Sequence, residues 1–191
     1  MIALVVVLVV VSFVGLGVLL TYNRLVSLRL ACESSWGQID VTLKQRHDLV
    51  PGLVQAVQGY ATHERTTLES VTEARAAAVA ADAAPAAERV SAEATLGTQI
   101  GVLRGTAEAY PDLMASASFR ALQDQLVRVE DQLQITRRVY NDTVETYNTA
   151  VQRVPSNLVA SVFGFRRHEF FAADIASRAA PTASFGAQGR A

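Results

Sequence analysis

The residues whose types could support chemistry are few: three histidines, one cysteine and a pair of asparagines set seven apart. Each histidine precedes an acid, in His47-Asp48, His63-Glu64 and His168-Glu169. Metal sites on helices favour two histidines four apart on one face, and none of these dipeptides supplies that. His47 and His63 are 16 residues apart, more than four helical turns, so no metal is expected. Each histidine reads instead as a helix-face residue beside a carboxylate. His63-Glu64 falls on an apolar stripe and could pack against another helix or a partner. Cys32 is the lone cysteine, has no nearby histidine to activate it, and cannot close an intrachain disulfide. The sequence holds no Gly-x-Ser-x-Gly elbow, no glycine-rich loop leading to a lysine and no Cys-x-x-Cys. The expectation is a protein that is not an enzyme and carries no cofactor.

Asn141 and Asn148 share one helical face beside Tyr140 and Tyr147. A buried asparagine needs hydrogen-bond partners, so these two are expected to tie one helix to another and fix register. The alternative is that they line a groove for a small molecule or a partner.

The chain around these residues reads as helical almost throughout. Phe119, Leu122, Leu126, Val129, Leu133, Thr136, Tyr140, Val144, Tyr147, Val151 and Val154 recur at alternating spacings of three and four. They predict one helix of about 35 residues, capped by Ser116 or Ser118 and stopped by Pro155. A second stripe runs Ile39, Leu43, Val50, Leu53, Val57, Tyr60, Glu64, Leu68, Val71 and Ala78, interrupted by Pro51, which should kink that helix. The alanine-rich stretch from Ala74 to Ala94 reads as two helices meeting at Asp82 to Pro85. A shorter stripe follows: Val90, Ala94, Gly97, Ile100, Leu103 and Ala107. Gly97, Gly101 and Gly105 lie along one side of it, as expected where one helix packs closely on another. No useful strand-like alternation appears. The fold class is all-α: an N-terminal transmembrane helix followed by an antiparallel bundle of long helices. Residues 1–21 form the anchor, 22–178 the bundle domain and 179–191 a disordered tail.

Ile2 to Leu20 run without a charge, roughly 28 Å of helix, which matches a bilayer core. No Lys or Arg precedes the run, so a cleavable signal peptide is disfavoured, and Arg29 stands where lipoprotein processing at Cys32 would need a small or aliphatic residue. Arg24, Arg29, Lys44 and Arg46 follow the span. The positive-inside rule therefore puts the N-terminus outside and the bundle in the cytoplasm. Net charge is −1 and Lys44 is the only lysine, so no basic field exists to hold nucleic acid. The arginines read as ordinary solvated surface. Near the C-terminus Phe163, Phe165, Phe170 and Phe171 surround Arg166-Arg167. Either an interfacial helix or a short last helix docked on the bundle would explain them, and Gly164, which breaks the run, favours docking.

These residues carry a resemblance. Tyr22-Asn23-x-Leu25-Val26, Trp36-x-x-Ile39-Asp40-x-x-Leu43-Lys44-x-Arg46-x-Asp48-Leu49-Val50-Pro51-x-Leu53-Val54 and Gly59-Tyr60-Ala61-x-His63-Glu64 resemble the LemA family of bacterial membrane proteins. Ala74-Arg75, Tyr110-Pro111-Asp112-Leu113, Phe119-x-x-Leu122-Gln123, the run from Glu130 through Arg137, Tyr140-Asn141 and Tyr147-Asn148, and Phe170-Phe171 continue it in order. Gly52, Met114 and Asp131 depart from the family's usual residues and touch only local contacts. The resemblance implies a membrane-anchored helical bundle and names no reaction. It marks Trp36, Asp48, Pro51, His63, Glu64, Arg137, Asn141, Asn148, Phe170 and Phe171 as candidate interaction or register residues.

The expected function is a membrane-anchored scaffold or adaptor that binds protein partners at the cytoplasmic membrane face, and the family resemblance implies a setting of envelope quality control. The bilayer is met through residues 2–20. Candidate protein partners are a membrane metalloprotease, implied by the resemblance, or a second copy of the chain. The alternative is a self-assembling, lipid-binding or membrane-shaping protein.

Overall fold

A computed structural model of the chain describes residues 1–61 and 63–171. The tail expected over 179–191, and the end of the domain drawn to 178, lie outside them. Helix α1 spans Ile2–Gln58 and α2 Arg65–Ala80; a 3-10 turn at Ala81–Ala83 leads to α3, Ala86–Ala107. Then come α4, Pro111–Ala115, α5, Ala117–Gln152, and α6, Ser156–Phe163. No strand occurs among the described residues.

α1 is 57 residues in one helix, roughly 85 Å long. It passes from the apolar run into the bundle without a break, because nothing between Thr21 and Arg46 resists helix except Gly37. Its N-terminal part is long and apolar enough to cross a membrane, with a mean hydropathy of 3.1 and none of that window buried in the bundle. The hydroxyls of Ser12 and Thr21 donate to the carbonyls four residues back, at 2.8 Å each, so neither is left unpaired along the apolar run.

The stripe expected to run as a single helix from Ile39 to Ala78 is two helices. The chain reverses between Gln58 and Arg65, where the Tyr60 and Ala61 amides return to the Val57 carbonyl. Val57, Leu68 and Val71 still face one core, so the spacing of three and four survives the turn and conceals it. Glu64 sits at the N-cap position of α2 and His63 is exposed in the turn, so neither lies on a helical stripe. The second reversal falls where alanine gives way to Asp82 and Pro85, as the composition predicts.

α5 runs antiparallel to α1 over nearly its whole length. Gly52 faces Leu122 at one end, Trp36 meets Tyr140 in the middle, and Leu25 shares a cluster with Ala150 and Val151 at the other. Ser116 holds the N-cap position of α5, yet its hydroxyl pairs with Ser118 rather than with an amide of the first turn. The α2–α3 hairpin covers only the half of this pair remote from the membrane helix, with α3 packed on α2 rather than closely on α1. The other half is covered by α6 and by the extended segment after it. Gly164, at φ 73°, ends α6 and lets the Phe165 amide return to the Ala160 carbonyl at 2.9 Å. α6 packs against both α1 and α5, which is the docking expected for the Phe-rich end.

Candidate functional site

Proline at 51 has no N–H to give the carbonyl of His47, one turn back inside α1. The orphaned oxygen accepts instead from Arg75 Nε on α2, at 2.7 Å. α1 therefore continues to Gln58, and the proline fixes where α2 docks.

Next to this contact lies a charged junction inside the bundle. Arg46, His47, Arg89 and Glu93 are all at most 4% exposed. Glu93, on α3, accepts from Arg46 Nη1 at 3.1 Å through Oε2 and from His47 Nε2 at 2.7 Å through Oε1. The 2.7 Å contact between His47 and Glu93 needs one shared proton, and which atom donates depends on the histidine tautomer. Arg46 Nε also lies 2.7 Å from Glu130 of α5, as a close ion pair rather than an aligned hydrogen bond. Arg89 reaches Asp40 of α1 at 2.7 Å and Asp82 of the 3-10 turn at 3.1 Å, with its guanidinium over the Trp36 ring. These long side chains fill the space between α3 and the α1–α5 pair, where backbones stand too far apart for small apolar residues. Gly97 keeps the route open: a Cβ there would lie 2.8 Å from Arg46 Nη2.

Toward the membrane, α5 holds an extended chain. Asn148 donates through Nδ2 to the His168 carbonyl and accepts the His168 amide on Oδ1, both at 2.9 Å. Asn141 does the same with Phe171, donating at 3.1 Å and accepting at 2.9 Å. The geometry follows from two repeats that coincide. Seven helical residues rise about 10.5 Å and three extended residues span about 10 Å, so two asparagines a heptad apart meet residues three apart. Tyr140 adds a hydrogen bond from its hydroxyl to the Glu169 carbonyl at 2.9 Å. Phe171, the last described residue, sits in a pocket where it is 1% exposed, with the Arg137 guanidinium 4.8 Å from its ring centre and Trp36 beside it. Burial, with the nearby Arg46 charge second, lowers the Arg137 pKa from its usual value. Burial also raises the Tyr140 phenol and the Cys32 thiol, so the cysteine has no thiolate character.

The remaining expected residues scatter. Glu64 accepts a hydrogen bond from the Tyr110 hydroxyl at 3.3 Å, joining the turn before α2 to the start of α4. Phe170 points away from the pocket and is 43% exposed. Asp48 lines an open groove of about 380 Å³ along the α1–α5 seam, with Gln45, Leu49, Gln125, Arg128, Val129 and Gln132.

Residues 35–185 match the sequence model of the LemA family. The chain belongs to the LemA family. It is also 23% identical over 186 residues to magnetosome protein MamQ 2 of Paramagnetospirillum magneticum, covering 85% of this chain and 68% of that protein. Magnetosome protein MamQ of Magnetospirillum gryphiswaldense is 22% identical over 177 residues, covering 80% of this chain and 65% of its own length. With its apolar N-terminal helix, this LemA-family chain is a membrane-associated helical protein.

Three expectations for this LemA chain are corrected. Asn141 and Asn148 bind an extended segment rather than a second helix, because a heptad says which face is used and not what crosses it. His47 pairs with Glu93, 46 residues away, rather than sitting on a surface beside Asp48; Arg46 and Arg89 are likewise buried rather than solvated. Of the three spaced glycines, Gly97 alone makes a close approach, and it is to a side chain; Gly101 and Gly105 face open space. A signal for the junction was present. Stepping back from Ala107 through Leu103, Ile100 and Leu96 at alternating four and three leads to Glu93 and Arg89, one position off the Val90–Ala94 register expected for α3.

Proposed function

We propose that this protein is a membrane-anchored scaffold that binds protein partners along the α1–α5 seam, with its N-terminus outside and its bundle in the cytoplasm. Its work is recognition rather than catalysis, in the setting of envelope quality control. One observation carries the reading: the groove around Asp48 lies on the helix that continues from the apolar run, so a partner seated there is held at a fixed distance from the bilayer. Its lining of glutamines with Asp48, Arg128, Leu49 and Val129 is the mixed polar and apolar surface a partner helix can use. Arg24, Arg29, Lys44 and Arg46 support the cytoplasmic orientation.

The test is photo-crosslinking in intact cells. A benzophenone amino acid replaces Gln45, Gln125 or Gln132 in turn, with exposed Glu73 of α2 as reference. One shared protein adduct from the three groove positions, absent at position 73, supports the scaffold. A metalloprotease or a second copy of the chain as that adduct identifies the partner. Equal labelling at all four positions, or none, refutes the groove as the partner site.

A further inference from the structure

α6 has more apolar surface facing out than in. Val159 and Ala160 are buried, but Leu158 is 64% exposed, Val162 78% and Phe163 53%, and Val154 in the preceding turn is 74% exposed. Leu158 and Val162 are one helical turn apart, so with Phe163 they make a continuous patch. Such a patch on a folded surface calls for something to cover it.

Its position names the cover. The buried side of α6 packs in one cluster with Val18, Tyr22, Leu25, Ala150, Val151 and Phe165. The Tyr22 ring lies 4.9 Å from Phe163 and 5.7 Å from Phe165. The uncharged run of α1 ends at Leu20. The contacts of α6 thus straddle the end of the membrane span, Val18 within it and Leu25 about 7 Å beyond it along the axis. Exposed Arg24, Arg153, Arg166 and Arg167 flank the patch, and a cleft of about 510 Å³ beside it is lined by Arg24 and Arg153, together with Thr21, Thr149, Ser156 and Glu145. Aromatic rings at the boundary, apolar side chains on one side and arginines around them are the chemistry of a bilayer surface.

We propose that α6 is a second membrane contact: Leu158, Val162 and Phe163 enter the leaflet from which α1 emerges, while the surrounding arginines meet lipid phosphates. The span and α6 then hold the bundle at two points and fix its tilt and rotation on the membrane. This does not depend on the scaffold reading; a bundle with no protein partner would sit on lipid in the same way.

Spin labels test it on the full chain reconstituted in vesicles of phosphatidylethanolamine and phosphatidylglycerol. Leu158→Cys and Val162→Cys carry the label, with Val14→Cys in the span and Val127→Cys, exposed on α5 far from the membrane, as references. The unsubstituted chain checks that buried Cys32 stays unlabelled. These positions are exposed, so folding is undisturbed. The expected result is high oxygen and low nickel-complex accessibility at 158 and 162, as at 14, and the reverse at 127. Nickel accessibility like that of position 127 would overturn the proposal. So would exclusion of both probes, which would mean a protein, such as a second copy, covers the patch.

Discussion

The two halves of the bundle seal the same α1–α5 pair by different means. Away from the membrane a helical hairpin closes it and buried charges align the pieces: Glu93 with Arg46 and His47, Arg89 with Asp40 and Asp82. Near the membrane a short helix and an extended strap close it, and two asparagines align the strap by reading its backbone. The charged junction depends on which side chains meet. The asparagine clamp grips backbone and so accepts any residue with an N–H at 168, while side-chain contacts come from the His168 ring edge-on to Tyr147 at 5.1 Å and from the pocket around Phe171. Long-range ion pairs select one docking of α3, whereas the clamp selects a spacing.

Substitutions at the junction, the clamp, the Pro51 contact and the glycines of α3 test that contrast. The largest effect belongs to Glu93→Ala, which strands Arg46 and His47 in the interior. The expected loss is about 3–5 kcal/mol, read by chemical denaturation. Asn148→Leu comes next, because it leaves the His168 amide and carbonyl without partners, at about 2–4 kcal/mol for the two groups. Its effect should be confined: hydrogen exchange at the His168 and Phe171 amides accelerates while Leu96 to Leu103 stay protected. Acceleration throughout the hairpin would show that the two halves are one cooperative unit.

Arg75→Ala uncovers the His47 carbonyl and should cost about 1 kcal/mol. In a Pro51→Ala background the new amide can reach that carbonyl, so the same substitution should cost less; equal costs would show that Arg75 acts elsewhere. The smallest effects come from glycine. Gly97→Ala gains helix propensity but collides with Arg46, held by Glu93 and Glu130, for a net loss of about 1 kcal/mol. Gly101→Ala and Gly105→Ala, with nothing in the way, should each stabilise by about 0.5–1 kcal/mol in a melting experiment.

Much of this was legible in the chain. The stripe from Phe119 to Val151 locates α5, and the alanine-rich break at Asp82 to Pro85 locates the hairpin, because burial of one helical face imposes its period on the sequence. The turn between Gln58 and Arg65 was hidden, since Tyr60 and Glu64 continue the spacing of Val57 across it. The stripe of α3 is right at Ile100, Leu103 and Ala107 and one residue off in its first half, because alanine at 94 suits a core as well as a surface and the buried positions there are the charged Arg89 and Glu93. The spacing of Asn141 and Asn148 shows that they need partners but points to a helix, where the partner is an extended segment.

Local hydrophobicity and a repeat of 3.6 residues are enough to specify the apolar run of α1, the helices and the faces they bury. What meets across those faces emerges on folding: His47 with Glu93, Arg75 with the carbonyl that Pro51 leaves open, Asn148 with the backbone of residue 168. A polar side chain inside a stripe announces that it requires a partner. Which one it finds depends on distant segments, 20 to 46 residues away in these three cases, brought near by packing that no local pattern records.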